Sequence, residues 1–235
     1  MPFTYDYPHP AVAADIAVFT LRRGALNVLL IERGEPPHKG AWALPGGFLQ
    51  PDEELDDCAR RELLEETGVD AELLLHFGNF SAPDRDPRER VISVAYLALL
   101  PSDELRLEAS TDAAQARWFP VDDLPPLAFD HDEILGRALG ALSSQARRIS
   151  PLFALLPGRF TLSQLQGAYE AVIGEDAEKR NFRKMVSALE CVRETDDFAH
   201  GAHRPARLYE PAAAWINPGR DTGRTSATPP SGARS

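Results

Sequence analysis

Apolar residues fall along this chain in blocks whose spacing separates strands from helices. Residues 11–21 are mostly apolar and predict a buried strand. Arg22, Arg23, Gly24 and Ala25 form a turn, and residues 26–31 predict a second strand, so the two make a hairpin. Residues 35–40 hold Pro36 and Pro37 and read as a loop. A helix is expected from about residue 54 to 67. Asp52 is placed to cap its start, acidic residues fill its first turn, and Gly68 suits the position after its end. Residues 71–80 alternate weakly and residues 91–100 are strongly apolar, which predicts two strands around the charged loop 81–90. Residues 116–120, with Trp118, predict a short strand, and 121–129 is a proline-rich connector. Residues 130–142 predict an amphipathic helix, with Ile134, Leu135, Ala138, Leu139 and Leu142 on one side and Asp130 or His131 as caps.

The pattern breaks at residues 143–151 and then changes character. Residues 152–156 are apolar, and Thr161 can cap a helix reaching about residue 173 with Leu165, Tyr169 and Val172 inward. Residues 174–178 turn the chain into a second helix, 179–189. Phe182, Met185, Val186 and Leu189 form its buried stripe. Lys179, Arg180, Arg183 and Lys184 take the other face, with Asn181 between them. A polar stretch, 196–203, precedes Arg204-Pro-Ala-Arg207-Leu-Tyr-Glu-Pro211. That order is a helix-turn-helix followed by a β-hairpin wing. Residues 217–235 lack apolar periodicity and read as a disordered tail. The expected division is 1–149, 150–216 and 217–235.

At 235 residues the chain can bury a sizeable core. Its net charge of −11 is unevenly spread. Residues 1–150 carry 14 basic against 26 acidic side chains, and residues 151–235 carry 11 against 10. This asymmetry suggests two units with different partners. Cys58 and Cys191 lie far apart, without metal-ligand spacing, and read as reduced thiols of a cytoplasmic protein. The start lacks a basic segment followed by an apolar one, so no signal peptide is expected, and no apolar run approaches membrane-spanning length. Phe3, Tyr5, Tyr7, Pro8 and Pro10 suggest an arm packed across the first unit, with base stacking by Tyr5 or Tyr7 as the alternative.

The candidate chemistry lies in residues 47–69. Glu62, Glu65 and Glu66 are spaced i, i+3, i+4, which puts three carboxylates on one helix face. Two readings fit: a solvated acidic face, or a site for a hard divalent cation that offsets the repulsion. The whole stretch resembles the Nudix box, G-x5-E-x7-R-E-U-x-E-E-x-G-U with U aliphatic. Gly47, Glu53, Arg61, Glu62, Leu63, Glu65, Glu66, Gly68 and Val69 fill its defined positions in order, and Trp42-Ala-Leu-Pro-Gly46 resembles its lead-in. The resemblance implies hydrolysis of nucleoside diphosphates linked to another moiety, with Mg²⁺ (or Mn²⁺) on Glu62, Glu65 and Glu66. It also implies that Glu53 and Arg61 pair to orient the helix. Gly46 and Gly47 let the backbone approach an ion or phosphate, or form a tight turn, and Gly47 is counted with the metal site.

Loop 35–40 is expected at the rim of this site, with His38 solvated. Arg85 and Arg88 sit in an arginine-rich loop that suits either phosphate contact or a solvated hairpin tip. Arg85-Asp-Pro-Arg88, Val91–Tyr96 and Leu127-Ala-Phe-Asp-His131 resemble the ADP-ribose-directed Nudix subfamily. Arg33, Gly46, Gly47, Arg85 and Arg88 are therefore the expected substrate contacts. His131 reads as structural, and Glu108 or Asp112 is a candidate for a further carboxylate.

The 160–165, 179–183 and 204–209 segments resemble the winged-helix domain of Nudix-related transcriptional regulators of NAD metabolism. In those regulators the Nudix part senses ADP-ribose-like ligands and its box is often degraded; here it is intact. The resemblance spans about residues 8–211 and implies a homodimer. A basic helix face is either simply solvated or a phosphate-contacting surface. On the second reading Lys179, Arg180, Asn181, Arg183, Lys184, Arg204 and Arg207 would meet operator DNA. The expected fold is α+β, a Nudix α/β/α sandwich with a mixed sheet followed by a winged helix. The expected function is Mg²⁺-dependent hydrolysis of ADP-ribose to AMP and ribose 5-phosphate, with a DNA-binding domain. The alternative is a repressor of NAD metabolism that uses the Nudix domain as a sensor.

Overall fold

A computed structural model describes residues 6–7, 9–71, 73–101, 113–199 and 205–213. The first hairpin is β1 (Ala11–Arg22) and β2 (Ala25–Arg33), closed by Arg23 and Gly24, both at positive φ. Short strands β3 (Trp42–Ala43) and β4 (Gly46–Phe48) precede helix α1 (Leu55–Thr67). Strands β5 (Leu74–Phe80), β6 (Val91–Leu100) and β7 (Ala113–Pro120) follow, then helix α2 (His131–Ala146). Among the described residues these strands form one seven-stranded sheet, with β3-β2-β1-β6-β5 as its path, β4 on β1 and β7 on β2. β1 runs parallel to β6 and the other pairings are antiparallel, so the sheet is mixed, as expected.

The unbroken apolar run of β1 has a simple cause. Ala14, Ile16 and Val18 pack towards α1, with Cys58, Ala59 and Leu63. Ala17 and Phe19 point the other way, into the core that holds Ile134 and Leu135 of α2. A strand covered on both faces reads as continuous rather than alternating. Asp15 shares the α2 side with Ala17 and Phe19, because side chains alternate along a strand.

Beyond α2 a 3-10 turn, Ser150–Leu155, leads to α3 (Leu162–Ile173), α4 (Lys179–Leu189) and the hairpin β8 (Val192–Ala199) with β9 (Ala206–Pro211). Thr161 caps α3 in a reciprocal box with Gln164, as its sequence predicts. Glu178 caps α4 by accepting the Arg180 and Asn181 backbone N–H groups. Phe160, Leu165, Phe182 and Val186 join the same apolar core as Phe19, Leu30 and Leu142. α2 therefore belongs to both halves: its inner face packs on the sheet, and its far end packs on α3.

Several local expectations change. α1 is capped at Glu54 rather than Asp52, without a side-chain hydrogen bond, and the Glu53 side chain accepts the Gln50 N–H just before it. Neither Asp130 nor His131 caps α2 by its side chain; both are engaged elsewhere. Leu189 is 36% exposed at the end of α4 instead of buried, and Tyr7 is 80% exposed instead of packed. The wing begins at Val192, and the first four residues of the polar stretch 196–203 complete β8. Phe3, Tyr5, Pro8, Glu108, Asp112, Arg204 and the proposed tail lie outside the described residues. Among the described residues no helix is long and apolar enough to cross a membrane.

Candidate functional site

α1 lies against the β1–β4 edge, and two glycines set how closely. A Cβ on Gly46 would stand 2.2 Å from the Ala14 carbonyl oxygen, and one on Gly47 would stand 2.3 Å from the Glu62 carboxyl. Arg61 is the hub of the helix face. Its Nε and NH2 donate to both oxygens of Glu53, at 3.0 and 2.6 Å. Its NH1 donates to Glu62 at 2.8 Å and to Glu65 at 3.2 Å, and its NH2 also reaches the Phe48 carbonyl. The expected Glu53–Arg61 pair is present. Arg61 holds the Glu53 carboxyl down to about 2, and the pair in turn raises the arginine.

Glu66 is placed differently. Its carboxylate accepts the Gly46 N–H at 2.9 Å, and burial pushes it up to about 8, against the lowering effect of that N–H. Burial also raises Glu62. The three glutamates do share a face, but they do not form a finished cage. Among the described residues no three carboxylate, imidazole or thiol groups converge as metal ligands. Arg61 draws Glu62 and Glu65 towards itself, Gly46 holds Glu66, and Glu65 is 59% exposed. The donor chemistry nonetheless suits a hard cation. Mg²⁺ needs only one or two carboxylates beside water and phosphate oxygens, and Glu62 and Glu66 are the half-buried and buried oxygens available.

A small cavity of about 50 Å³ opens on the other side of Gly46 and Gly47. Buried ion pairs form its floor. Arg85 donates to both oxygens of Asp130, at 2.9 and 2.7 Å, and to Asp15 at 3.2 Å. Ser93 donates to Asp15 at 2.5 Å. His131 Nδ1 accepts the Leu44 N–H at 2.9 Å, which places the ring proton on Nε2, 3.6 Å from Asp15. Burial lowers His131, so the ring is neutral. Aromatic rings and two further arginines form the mouth. The Arg33 guanidinium lies 4.7 Å from the Phe129 ring centre, and Arg88 lies 5.1 Å from that of Phe48 and 5.8 Å from that of Phe129. Phe129 holds a positive φ of 55°, a strained backbone for a bulky residue.

On α4, Lys179, Arg180, Asn181, Arg183 and Lys184 are all exposed while Phe182 and Val186 are buried. Among the described residues none of these four cations joins an ion pair. Arg207 of the wing is different: it pairs with Glu194 at 3.0 Å and lies over Phe198. Arg193–Glu210 and Arg159–Asp197 tie down further charges of the wing.

The NUDIX domain family matches residues 9–138, and the NrtR DNA-binding winged helix domain family matches residues 152–210. The chain is 36% identical over 208 residues to an ADPR responsive transcriptional repressor, NtrR, of Acinetobacter baylyi, covering 87% of this chain and 83% of that protein. The chain belongs to the Nudix family and carries an NrtR-type winged helix. Its Nudix domain is also 41% identical over 129 residues to an ADP-ribose pyrophosphatase of Methanocaldococcus jannaschii, covering 55% of this chain and 73% of that one. The crystal structure of Shewanella oneidensis NrtR complexed with a 27mer DNA has a TM-score of 0.75 at 29% identity, covering 86% of this chain and 93% of that chain.

In this Nudix protein the sequence-predicted residues separate into three groups. Glu53, Arg61, Glu62, Glu65 and Glu66 come together with Gly46 and Gly47. Arg33 and Arg88 line the neighbouring cavity. Arg85 lines it too, but it is neither a solvated tip nor free for phosphate: its side chain is 5% exposed and spent on Asp15 and Asp130. Asp15 and Phe48 escaped the sequence reading, and Asp86, Ser93, Asp130 and Phe129 entered it only within motifs or as a helix cap, without a role at the site. One signal was available for Asp15, a carboxylate inside an apolar strand, which must find a buried partner.

Proposed function

We propose that this Nudix protein is a DNA-binding transcriptional repressor whose Nudix domain binds ADP-ribose. One observation carries the reading. The exposed, unpaired cations of α4 project from a winged helix whose core is continuous with the ligand-binding sheet. Similarity to the ADPR responsive repressor along 87% of the chain supports it. Arg33 and Arg88 suit the phosphates of the ligand, while Arg85, Asp15 and Asp130 hold the cavity wall in place. The acidic first domain repels DNA in general, so binding depends on a specific operator and on a homodimer that spaces two α4 helices. Residues 1–149 and 150–216 are the two functional units, in a cytoplasmic protein.

A second reading concerns hydrolysis, and the intact box favours it. The Nudix domain is a Mg²⁺-dependent pyrophosphohydrolase that splits ADP-ribose into AMP and ribose 5-phosphate, Mn²⁺ being able to substitute. Glu62 and Glu66 would hold the metal, with Glu65 reoriented from Arg61, and Gly47 leaves room for the ion beside Glu62. The bound metal supplies Lewis-acid polarisation of water and phosphate. Glu66 Oε2 is held by the Gly46 N–H, and Arg61, anchored by Glu53, fixes the rest of the face. Gel-shift titration on promoter fragments of NAD-synthesis genes, with and without ADP-ribose, tests the repressor. Release of AMP with Mg²⁺ or with EDTA tests hydrolysis. Retardation relieved by ADP-ribose supports the first reading; no retardation at low salt overturns it, whatever the hydrolysis result.

A further inference from the structure

The cavity beside Gly46 is too small for a nucleotide, and what fills its mouth is a side chain. Arg88 is clasped by Asp86 through Nε at 3.0 Å and NH2 at 2.7 Å, and its backbone N–H also donates to Asp86 at 2.9 Å. The clasp holds the guanidinium over the faces of Phe48 and Phe129. A guanidinium and a heteroaromatic ring are both planar, and both stack on aromatic faces. Arg33 lies over the same Phe129 ring, donates only to the Pro37 and Glu35 carbonyls and joins no ion pair among the described residues, so two cations share one corner. Such a corner invites an anion. Phe48 is 36% exposed and Arg88 is 41% exposed, so this part of the wall can open without unpacking the core.

We propose that Arg88 is a placeholder: it covers the Phe48 and Phe129 rings until a purine-type heterocycle carrying a pyrophosphate displaces it, and the freed arginine then follows the phosphates. The proposal rests on the ligand reading above and adds the determinant of ligand class. Arg88 penalises flat ligands without phosphate, because they displace the arginine from the rings and give it nothing in return. It favours ligands that carry both parts. Asp86 sets the height of that penalty, since its buried carboxylate must release the guanidinium.

The test is a set of ligand-observed NMR titrations in EDTA with adenosine, inorganic pyrophosphate and ADP-ribose. The intact protein is compared with Arg88→Ala and Asp86→Asn. Arg88→Ala is expected to bind adenosine more tightly, by about two- to fivefold on the scale of a lost cation–π cover. It is expected to bind pyrophosphate more weakly, by about tenfold, as one charge-assisted contact is lost. Asp86→Asn is expected to tighten adenosine without weakening pyrophosphate. An Arg88→Ala protein that binds adenosine no better than the intact protein overturns the proposal, and so does adenosine binding to neither. Loss of both ligands together returns Arg88 to a plain wall residue and overturns it as well. ADP-ribose separates the two claims: if the intact protein does not bind it, the ligand reading fails, while adenosine and pyrophosphate still judge Arg88.

Discussion

Arg61 and Arg85 show how differently two arginines of one site can be used. Arg61 is about a quarter exposed and organises three glutamates; Arg85 is buried and anchors two aspartates. Breaking a buried pair leaves uncompensated charge, so Arg85→Ala should cost about 3–5 kcal/mol of stability. Urea denaturation measures this, and a loss below about 1 kcal/mol would show that Asp15 and Asp130 do not need the guanidinium. Glu53 carries a pH signature. Its folded pKa of about 2 lies below the ordinary 4.5, so its pairing stabilises the fold above pH 4.5 and that stability is lost as pH falls towards 2. Glu53→Gln should therefore flatten the acid limb of a thermal-stability profile between those pH values while leaving its neutral shape unchanged. Glu66→Gln should lower AMP release by roughly 10²-fold in a folded protein, on the scale of acid–base contributions. Near-normal turnover would remove Glu66 from the hydrolytic machinery. The glutamates were legible in the sequence because a helix fixes their relative positions. The aspartates were not, because Asp15, Asp86 and Asp130 meet their arginines through tertiary packing that no local spacing encodes.

At the scale of elements, the long strands and helices were readable from their apolar periods and the short ones were not. β3 and β4 have two and three residues, too few for any period to show. They are held by pairing to β2 and β1 instead. β4 also explains why two adjacent glycines are needed, and for different reasons. Gly46→Ala would drive a methyl group into the Ala14 backbone carbonyl, so it should destabilise the sheet. Gly47→Ala would meet only the movable end of Glu62, so it should fold but turn over ADP-ribose more slowly. Thermal melting and AMP release on the two variants check this, and equal melting temperatures would contradict it. The hairpin wing was foreseen, but not that β8 takes in Arg193, Glu194, Asp196 and Asp197, the last two from the polar stretch 196–203. Arg193, Glu194 and Asp197 find cross-strand or neighbouring partners in Glu210, Arg207 and Arg159, so a charged composition is compatible with a strand.

At the scale of the molecule, the charge division seen along the sequence becomes a spatial one. The Nudix half carries the acidic excess, and four exposed cations without an ion pair among the described residues lie together on α4. DNA affinity should fall steeply with salt. Four phosphate contacts per subunit predict a log–log slope of about −3 to −4 for each α4 helix, and Arg183→Ala should make it shallower by about one unit. The sequence foretold this face but not the shared core, in which α2 links the Arg85–Asp130 anchor at its start to the 3-10 turn and α3 at its end. That continuity gives a route by which an occupied cavity can bias the winged helix. It works only if ADP-ribose binds the DNA-free arrangement more tightly, since equal affinity for both arrangements shifts nothing. The most direct measurement is the affinity for a fluorescent operator fragment as ADP-ribose is raised, at fixed salt and with EDTA to block turnover. The apparent Kd for DNA is expected to rise with ADP-ribose and then to level off once both arrangements are saturated. Tight operator binding that ADP-ribose leaves unchanged at saturating concentration would contradict it.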